Sequence, residues 1–230
     1  MRFFKALLPV FVLGFILSHS IYCITLDEKS NGTEVDSSEL ELSKRFIEDT
    51  GNKIIQVLVN KSASLSQRQD QFRQVIREKF DMSSIVRYVL GRYWKKASPN
   101  QQTEYLKLFE DSIVESYSHQ FDSYTNEKLI VSGARPSNKG GVIVTSKIIL
   151  ASGPPVPVDW KVFRTNGDLR ILDVSVKGVS MSITYRSQYA GAYDQNGRSI
   201  EGLLKALRSK EITTDIPDTN TESPQAAPAA

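Results

Sequence analysis

Few side chains in this chain could do chemistry. Two carboxylates, Asp159 and Asp173, lie in neighbouring stretches that alternate between apolar and polar residues, as β-strands do. A pair of carboxylates can share the roles of general acid and general base. Polar residues on the outer face of a half-solvated antiparallel sheet are nevertheless the usual arrangement. We therefore favour a solvated surface for this pair, and a small exported α+β enzyme that uses Asp159 and Asp173 stays open as an alternative.

The histidine and cysteine content limits the kinds of catalytic or metal site that the chain could form. The chain has two histidines, His19 and His119, and a single cysteine, Cys23. His19 lies in an N-terminal segment that we expect to be removed, so the exported chain would keep one histidine and one cysteine. A lone cysteine cannot form an internal disulfide, and one Cys and one His cannot make a Cys/His zinc site. No phosphate-binding glycine loop, dinucleotide glycine pattern or nucleophile elbow occurs in the sequence. We predict that the protein is not an enzyme and that it uses no metal and no cofactor.

The composition is that of an ordinary globular protein. Of the 230 residues, 40% are hydrophobic and 24% are charged, which allows a sizeable core. The 29 basic and 26 acidic residues are interleaved, and basic runs such as Lys95-Lys96 are short. Nucleic acids are bound by clustered Lys and Arg that neutralise phosphates. We expect no nucleic-acid partner, and we expect a monomer.

The N-terminus has the plan of a secretory signal peptide, in which basic residues and an apolar run precede small residues. These are Arg2 and Lys5, the apolar residues 6–17, and Ser18 and Ser20. The run is too short to favour a membrane span. We predict cleavage after Ser20 and export of the rest of the chain. Tyr22 stands before Cys23, where lipoprotein cleavage requires a small residue, so lipidation is disfavoured.

Helices are predicted in the first half of the chain. Ser38 with Glu41, and Ser66 with Gln69, have the spacing of a capping box, in which two residues cap a helix start reciprocally. Asp81 is predicted to cap a third helix that ends near Gly91. Residues 98–101, Ser-Pro-Asn-Gln, predict the start of a long helix with an aromatic stripe that continues to Tyr124.

Strands are predicted after residue 128, because the apolar period changes from helical spacing to two. Residues 129–131 and 142–150 form the first two, and residues 158–181 form a hairpin around Asn166-Gly167. We predict that one face of the hairpin points into the core, while Ile171, Asp173 and Ser175 point outward. The inward residues are Val158, Trp160, Val162, Leu172, Val174 and Val176. A helix through Arg186 and Tyr189 and a last helix over 199–208 follow.

The order of the predicted elements is helices first, then an antiparallel sheet, then short helices. This order predicts an α+β fold with the helices packed on one face of a curved sheet. We predict a flexible lead-in over residues 21–37 and a single domain over 38–210. The Thr-, Asp-, Pro- and Ala-rich tail, residues 211–230, is expected to be disordered.

An ordered set of motifs from residue 80 to residue 210 resembles the periplasmic phospholipid-binding proteins of the Mla lipid-transport pathway, the MlaC-like, toluene-tolerance family. Residues 90–94 read Leu-Gly-Arg-Tyr-Trp, and the Ser-Pro-Asn-Gln cap and the aromatic helix with Tyr105, Phe109 and Tyr117 follow. Residues 173–181, Asp-Val-Ser-Val-Lys-Gly-Val-Ser-Met, are similar to a second family block, in which Lys177 replaces the usual Glu. Residues 180–189 are also similar to the hopanoid-associated branch of the family.

The resemblance implies an α+β fold in which helices and a curved antiparallel sheet, closed by short C-terminal helices, enclose an apolar cavity for phospholipid tails. It implies a soluble periplasmic carrier that shuttles phospholipid between an outer-membrane lipoprotein–porin complex and an inner-membrane ABC-type lipid transporter, and so maintains outer-membrane lipid asymmetry. A lipid-free periplasmic adaptor is a further alternative, and it predicts a filled core and an exposed apolar patch.

Twelve apolar or aromatic residues of the predicted helices and strands are our candidates for lipid binding. They are Val86, Val89, Leu90, Phe109, Ile113, Tyr117, Val144, Ile148, Trp160, Val162, Val174 and Val176. Tyr93 and Trp94 are candidates for the rim of the cavity. Arg92 and Arg186 are candidates for contact with a phosphate or with a partner.

Overall fold

A computed structural model describes residues 36–118, 121 and 126–212 of the chain. The predicted signal peptide, Cys23, His119, Tyr124 and all but two residues of the predicted tail lie outside the described residues, and the expectations for them stay predictions. The described residues belong to one compact unit.

Six α-helices and five strands follow one another in the described part of the chain. The first four helices are α1 (Ser37–Val59), α2 (Leu65–Lys79), α3 (Met82–Leu90) and α4 (Pro99–Ser118), with a 3-10 helix, Gly91–Lys96, between α3 and α4. The strands are β1 (Lys128–Pro136), β2 (Val142–Ile149), β3 (Val156–Thr165), β4 (Asp168–Val176) and β5 (Val179–Ser180). The last helices are α5 (Met181–Gln195) and α6 (Ile200–Arg208).

Two of the predicted helix starts are confirmed. The Asp81 side chain accepts a hydrogen bond from the Ser84 backbone N–H at 3.0 Å and caps α3. Ser98 and Gln101 form the predicted capping box of α4, with the Gln101 N–H donating to Ser98 Oγ at 3.3 Å. Gly91 ends α3 with a φ of 54°, a conformation that glycine adopts readily.

The other two predicted starts are wrong by two residues. Helix α1 begins at Ser37 after Asp36, and Ser38 donates its hydroxyl to the Asp36 carboxylate at 2.6 Å instead of capping the helix. Helix α2 is capped by Ser64 with Gln67, in an overlapping Ser-x-x-Gln pattern. The earlier box makes the same two capping hydrogen bonds and adds residues to the helix, so it prevails over the later one.

The sheet is an open antiparallel meander in the order β1-β2-β3-β4-β5. Asn166 and Gly167 join β3 to β4 as predicted, with φ values of 52° and 90°. Positive φ at both positions is what a type I′ turn requires, and this turn is common in two-residue hairpins. The α+β fold class is therefore confirmed.

The prediction that Ile171 lies on the outward face of β4 is wrong. Lys161 pairs with Asp173, but the next residue of β3, Val162, pairs with Ile171, so Leu172 is the extra residue of a β-bulge. Ile171, predicted to point outward, is instead fully buried. Its carbonyl accepts a hydrogen bond from the Asp81 N–H at 3.0 Å, which ties the start of α3 to the sheet.

The helices cover the sheet and leave the core between the two layers. Helix α1 packs on β1 and β2, while α2, α3 and α5 reach β4, and α6 packs against α4 and α5. A side chain at Gly202 would clash with the carbonyl oxygen of Asn196, so only glycine allows this close approach at the start of α6. The arrangement places the inner faces of β3 and β4 opposite α2, α4 and α5.

Candidate functional site

An apolar cavity of about 180 Å³ lies between the helices and the inner face of the sheet. All but two of the residues that line it, Asp173 and Ser182, are apolar or aromatic. The lining consists of Ile54, Leu58, Phe72, Ile76, Phe80, Met82, Ile85, Phe109, Ile113, Tyr117, Ile148, Val158, Trp160, Leu172, Asp173, Val174, Val176, Met181, Ser182 and Tyr185. A cavity with such walls suits hydrocarbon and disfavours water, which needs polar partners.

The structure brings seven of the twelve candidate residues together in this lining. These are Phe109, Ile113, Tyr117, Ile148, Trp160, Val174 and Val176. The other five are buried but do not line the cavity: Val86, Val89, Leu90, Val144 and Val162. Helix α3 contributes Met82 and Ile85 to the lining instead. Contact of the twelve residues with lipid stays a prediction.

Sequence reasoning missed all the residues that α1 and α2 contribute to the lining. Ile54 and Leu58 are four residues apart on α1, and Phe72 and Ile76 are four residues apart on α2. Residues with this spacing share one helix face. This spacing was the signal in the sequence that could have identified the four residues as buried. It does not show whether a buried helix face packs tightly in the core or lines a cavity.

Asp173 was predicted to point outward to solvent, and this prediction is wrong: the residue belongs to the cavity lining and has a structural role. Its carboxylate accepts hydrogen bonds from the Ser180 hydroxyl at 2.5 Å and from the Ser182 N–H at 3.0 Å. Ser180 is the N-cap residue of α5 and Ser182 lies in its first turn. A carboxylate at this position satisfies a free N–H group and interacts favourably with the helix dipole. Asp159 pairs with Ser175, and Asp173 pairs with Lys161, so the two carboxylates do not stand opposite each other.

Trp160 presents its indole ring to the cavity without leaving a polar atom unpaired. Its Nε1–H donates to the buried Ser146 hydroxyl at 2.8 Å, and Ser146 donates to the Val158 carbonyl at 3.0 Å. A buried indole N–H without a partner would be costly. Because Ser146 accepts the indole N–H, the large Trp160 ring can form part of the cavity wall on the sheet side without a buried, unpaired donor.

A cluster of aromatic rings supports the wall on the helical side. Phe109 is fully buried and makes edge-on contacts with Tyr185 and Tyr189, at ring-centroid distances of 5.4 and 5.8 Å. Tyr105 makes an edge-on contact with Tyr189 at 6.0 Å. Edge-on ring pairs of this kind add stability beyond their buried area. Helices α4 and α5 are therefore held together by rings that line the cavity, Phe109 and Tyr185, and by rings behind them, Tyr105 and Tyr189.

The candidates for the rim and for phosphate contact lie away from the cavity lining. Tyr93 is buried against Tyr193, with stacked rings 3.9 Å apart. Arg92 donates to the Tyr93 hydroxyl at 2.8 Å, and Arg186 donates to the Tyr88 carbonyl at 3.0 Å. Contact with phosphate or with a partner stays a prediction for both arginines.

The stability of the fold should fall in strongly alkaline solution because of the buried tyrosines. Burial raises the pKa of Tyr189 to about 12, whereas a tyrosine in an unfolded chain has a pKa of about 10. Between these pH values the unfolded chain releases a proton that the folded protein keeps. The free energy of unfolding should therefore fall as the pH rises, by about 2–3 kcal/mol for this one residue.

The variant Tyr189→Phe tests this expectation. Urea unfolding at about pH 8 and about pH 11.5 should show a smaller alkaline loss for Tyr189→Phe than for the unchanged protein. Some loss should remain in the variant, because burial also raises the pKa of Tyr105. An equal alkaline loss in the two proteins would contradict the prediction.

The described residues contain no group of three or more His, Cys, Asp and Glu side chains that could hold a metal ion. In the same part of the chain, no helix has both the length and the apolarity that a membrane crossing requires.

The fold and the cavity define an α+β protein with an apolar site enclosed between a helical layer and an open antiparallel sheet. The chain belongs to the MlaC protein family, whose family model matches residues 48–209. This match confirms the resemblance of the motifs in residues 80–210.

Two curated relatives and one solved structure are similar to the chain. The toluene tolerance protein Ttg2D of Pseudomonas putida is 23% identical over 155 residues, which cover 65% of this chain and 72% of the relative. The intermembrane phospholipid transport system binding protein MlaC of Haemophilus influenzae is 25% identical over 124 residues, which cover 52% of this chain and 57% of that protein. A phospholipid-binding protein from Ralstonia solanacearum, solved in complex with a phospholipid, superposes with a TM-score of 0.66 at 20% identity, over 73% of this chain and 95% of that one. The likeness to the solved structure shows a shared fold.

Proposed function

We propose that the protein holds the acyl chains of a phospholipid in the apolar cavity and carries the lipid through the periplasm. The observation that carries this proposal is the lining, which is apolar or aromatic except at Asp173 and Ser182. Membership of the MlaC family supports it. The phospholipid bound to the structural neighbour from Ralstonia solanacearum supports it as well.

The energetics of a carrier require an interior that resembles the bilayer. Burying one methylene group contributes about 0.8 kcal/mol, so two chains of ~16 carbons contribute on the order of 25 kcal/mol against water. A lipid leaves a membrane only if the carrier offers a comparable gain. The apolar lining offers it once the site has widened enough to hold the chains. The net free energy of transfer is then close to zero, which lets the lipid be delivered as well as collected.

The size of the cavity indicates how loading proceeds. Its volume of about 180 Å³ is close to that of engineered protein cavities of about 150 Å³ that hold one benzene molecule. Whole acyl chains need more room. The helical layer and the sheet must therefore move apart during loading. The side chains that line the present cavity then become the walls of a wider site.

The route and the location are part of the same proposal. The protein is exported by a signal peptide over residues 1–20, and it shuttles phospholipid between an outer-membrane lipoprotein–porin complex and an inner-membrane ABC-type transporter. This traffic maintains the lipid asymmetry of the outer membrane. The support for these steps is the family match together with the basic, apolar and small residues of the N-terminus.

Protein purified from the periplasm of a Gram-negative host should contain phospholipid. We expect native mass spectrometry to show an added mass that corresponds to a phospholipid, and extraction with organic solvent to recover that lipid. Protein denatured and refolded without lipid serves as the empty control. Lipid-free protein from this host would contradict the carrier proposal and favour the adaptor.

A further inference from the structure

Two segments of the chain that pack against each other are basic and contain no carboxylate. Residues 82–103 cover α3, the 3-10 helix and the start of α4, and residues 174–193 cover the end of β4, β5 and most of α5. Neither segment contains Asp or Glu, although the whole chain has 26 acidic residues beside 29 basic ones. Helices α3 and α5 are in contact, so the two segments form one surface.

Five exposed cations define this surface, which we name the basic face: Arg87, Arg92, Lys95, Lys96 and Arg186. None of them is in an ion pair with a carboxylate of the described residues. Cations elsewhere on the helices do form such pairs, for example Arg73 with Asp111 at 2.6 Å and Arg208 with Glu104 at 2.6 Å. Asp194, directly after the second segment, attracts Arg92 electrostatically, but its ion pair is with Arg198 at 3.4 Å. The basic face therefore keeps a net positive charge.

Aromatic rings position most of these cations. Arg186 lies 5.0 Å from the centre of the Tyr88 ring, and Arg92 lies 4.9 Å from that of Tyr93. Lys96 lies over both Tyr93 and Tyr193, at 5.5 and 5.8 Å. Contacts of a cation with a ring face restrain the side chain without neutralising its charge. The charges are thus held at the surface and stay available to an external anion.

Exposed apolar side chains accompany the cations. Tyr88 on α3 is 45% exposed, Ile183 on α5 is 56% exposed, and Val179 on β5 is 46% exposed. Apolar and aromatic side chains beside Lys and Arg are typical of surfaces that lie on a lipid bilayer, where the apolar groups enter the interface and the cations bind phosphates.

We propose that the basic face docks on the surface of an anionic phospholipid bilayer. Each Lys or Arg near such a surface is attracted to the negative potential of its headgroups. The proposal rests on the proposed carrier function, since α3 and α5 also line the cavity through Met82, Ile85, Met181 and Tyr185. Docking through the basic face would place this wall of the cavity against the bilayer that supplies or receives the lipid.

The experiment measures co-sedimentation of the exported, purified protein with vesicles. One set of vesicles is phosphatidylcholine alone, and the other contains about 30% phosphatidylglycerol, which supplies the anionic headgroups. The test variant is R92Q/K95Q/K96Q, whose residues do not line the cavity. The matched control is R135Q/K139Q/K147Q, which removes the same charge from exposed positions on β1, on β2 and in the turn between them.

We expect the unchanged protein to bind the anionic vesicles, to bind them less as salt is added, and to leave the neutral vesicles unbound. The R92Q/K95Q/K96Q variant should lose at least about tenfold in apparent affinity, while the control stays within about twofold. Equal binding by the two variants, or no binding of the unchanged protein to anionic vesicles, would overturn the proposal, and the latter result would favour an acidic protein as the partner.

The phospholipid content of each purified protein separates this proposal from the carrier function. The R92Q/K95Q/K96Q variant should contain as much phospholipid as the control when both are isolated from the same host. Loss of vesicle binding with lipid content retained supports a docking face distinct from the cavity. Lipid-free preparations of the unchanged protein would contradict the carrier function, whatever the vesicles show.

Discussion

Replacing Val174 with tryptophan should lower the affinity for phospholipid by about tenfold or more, a loss of about 1.4 kcal/mol in binding, and should reduce the phospholipid content of the purified protein. Val174 lies on β4, pairs with Trp160 and lines the cavity. An indole in place of the isopropyl group would fill part of a cavity of only about 180 Å³. The added ring takes the space of acyl-chain carbons and keeps the wall apolar, so the fold should survive while the lipid is excluded.

The matched control for Val174→Trp is Ile130→Trp. Ile130 lies on β1, also in the sheet, but is 52% exposed and does not line the cavity. Lipid extraction and native mass spectrometry of the two variants, isolated from the same host, give the comparison. We expect near-normal lipid content for Ile130→Trp. Full lipid loading of a folded Val174→Trp protein would place the lipid somewhere other than this cavity.

Replacing Phe109 with alanine should lower the free energy of unfolding by about 3–5 kcal/mol, the range for a large aromatic side chain removed from a close-packed core. Phe109 is fully buried, and its ring contacts Tyr105, Tyr185 and Tyr189. Removing the ring leaves a void that joins the existing cavity, and the edge-on ring contacts between α4 and α5 are lost. Urea unfolding of lipid-free protein measures the effect.

Tyr88→Ala is the control for Phe109→Ala, because it removes an aromatic ring that is 45% exposed. We expect this control to change the free energy of unfolding by less than about 1 kcal/mol. Added phospholipid should restore part of the stability of Phe109→Ala, since a ligand that binds only the folded state stabilises it by mass action. Losses of equal size in the two variants would show that the Phe109 ring cluster does not hold α4 against α5.

Much of the fold could be predicted because its signals are local. The capping box of Ser98 and Gln101 and the cap at Asp81 depend on side chains within four residues of the helix start. The turn at Asn166-Gly167 depends on two residues that tolerate positive φ. Errors arose where two local solutions were nearly equal, as with the overlapping boxes at Ser64 and Ser66.

The candidate site was predicted only in part, because the lining depends on packing between distant segments. The inward positions of Trp160 and Val174 follow from strand alternation, and the structure places both in the lining. Val86 and Val89 are equally apolar, but they pack in the core rather than along the cavity. The periodic spacing of apolar residues indicates which side chains are buried. It does not indicate whether another side chain or a cavity lies opposite each of them.

The sequence by itself determined the α+β class, the hairpin and the family, because these depend on periodicity and on motifs read along the chain. Only the tertiary structure decided the bulge at Leu172, which turned Ile171 inward and bound its carbonyl to Asp81. It also decided the position of the cavity and the assembly of the basic face from α3, the 3-10 helix and α5. The physical reason is the same in each case, since a void, a bulge and a surface charge cluster are set by contacts between residues far apart in sequence.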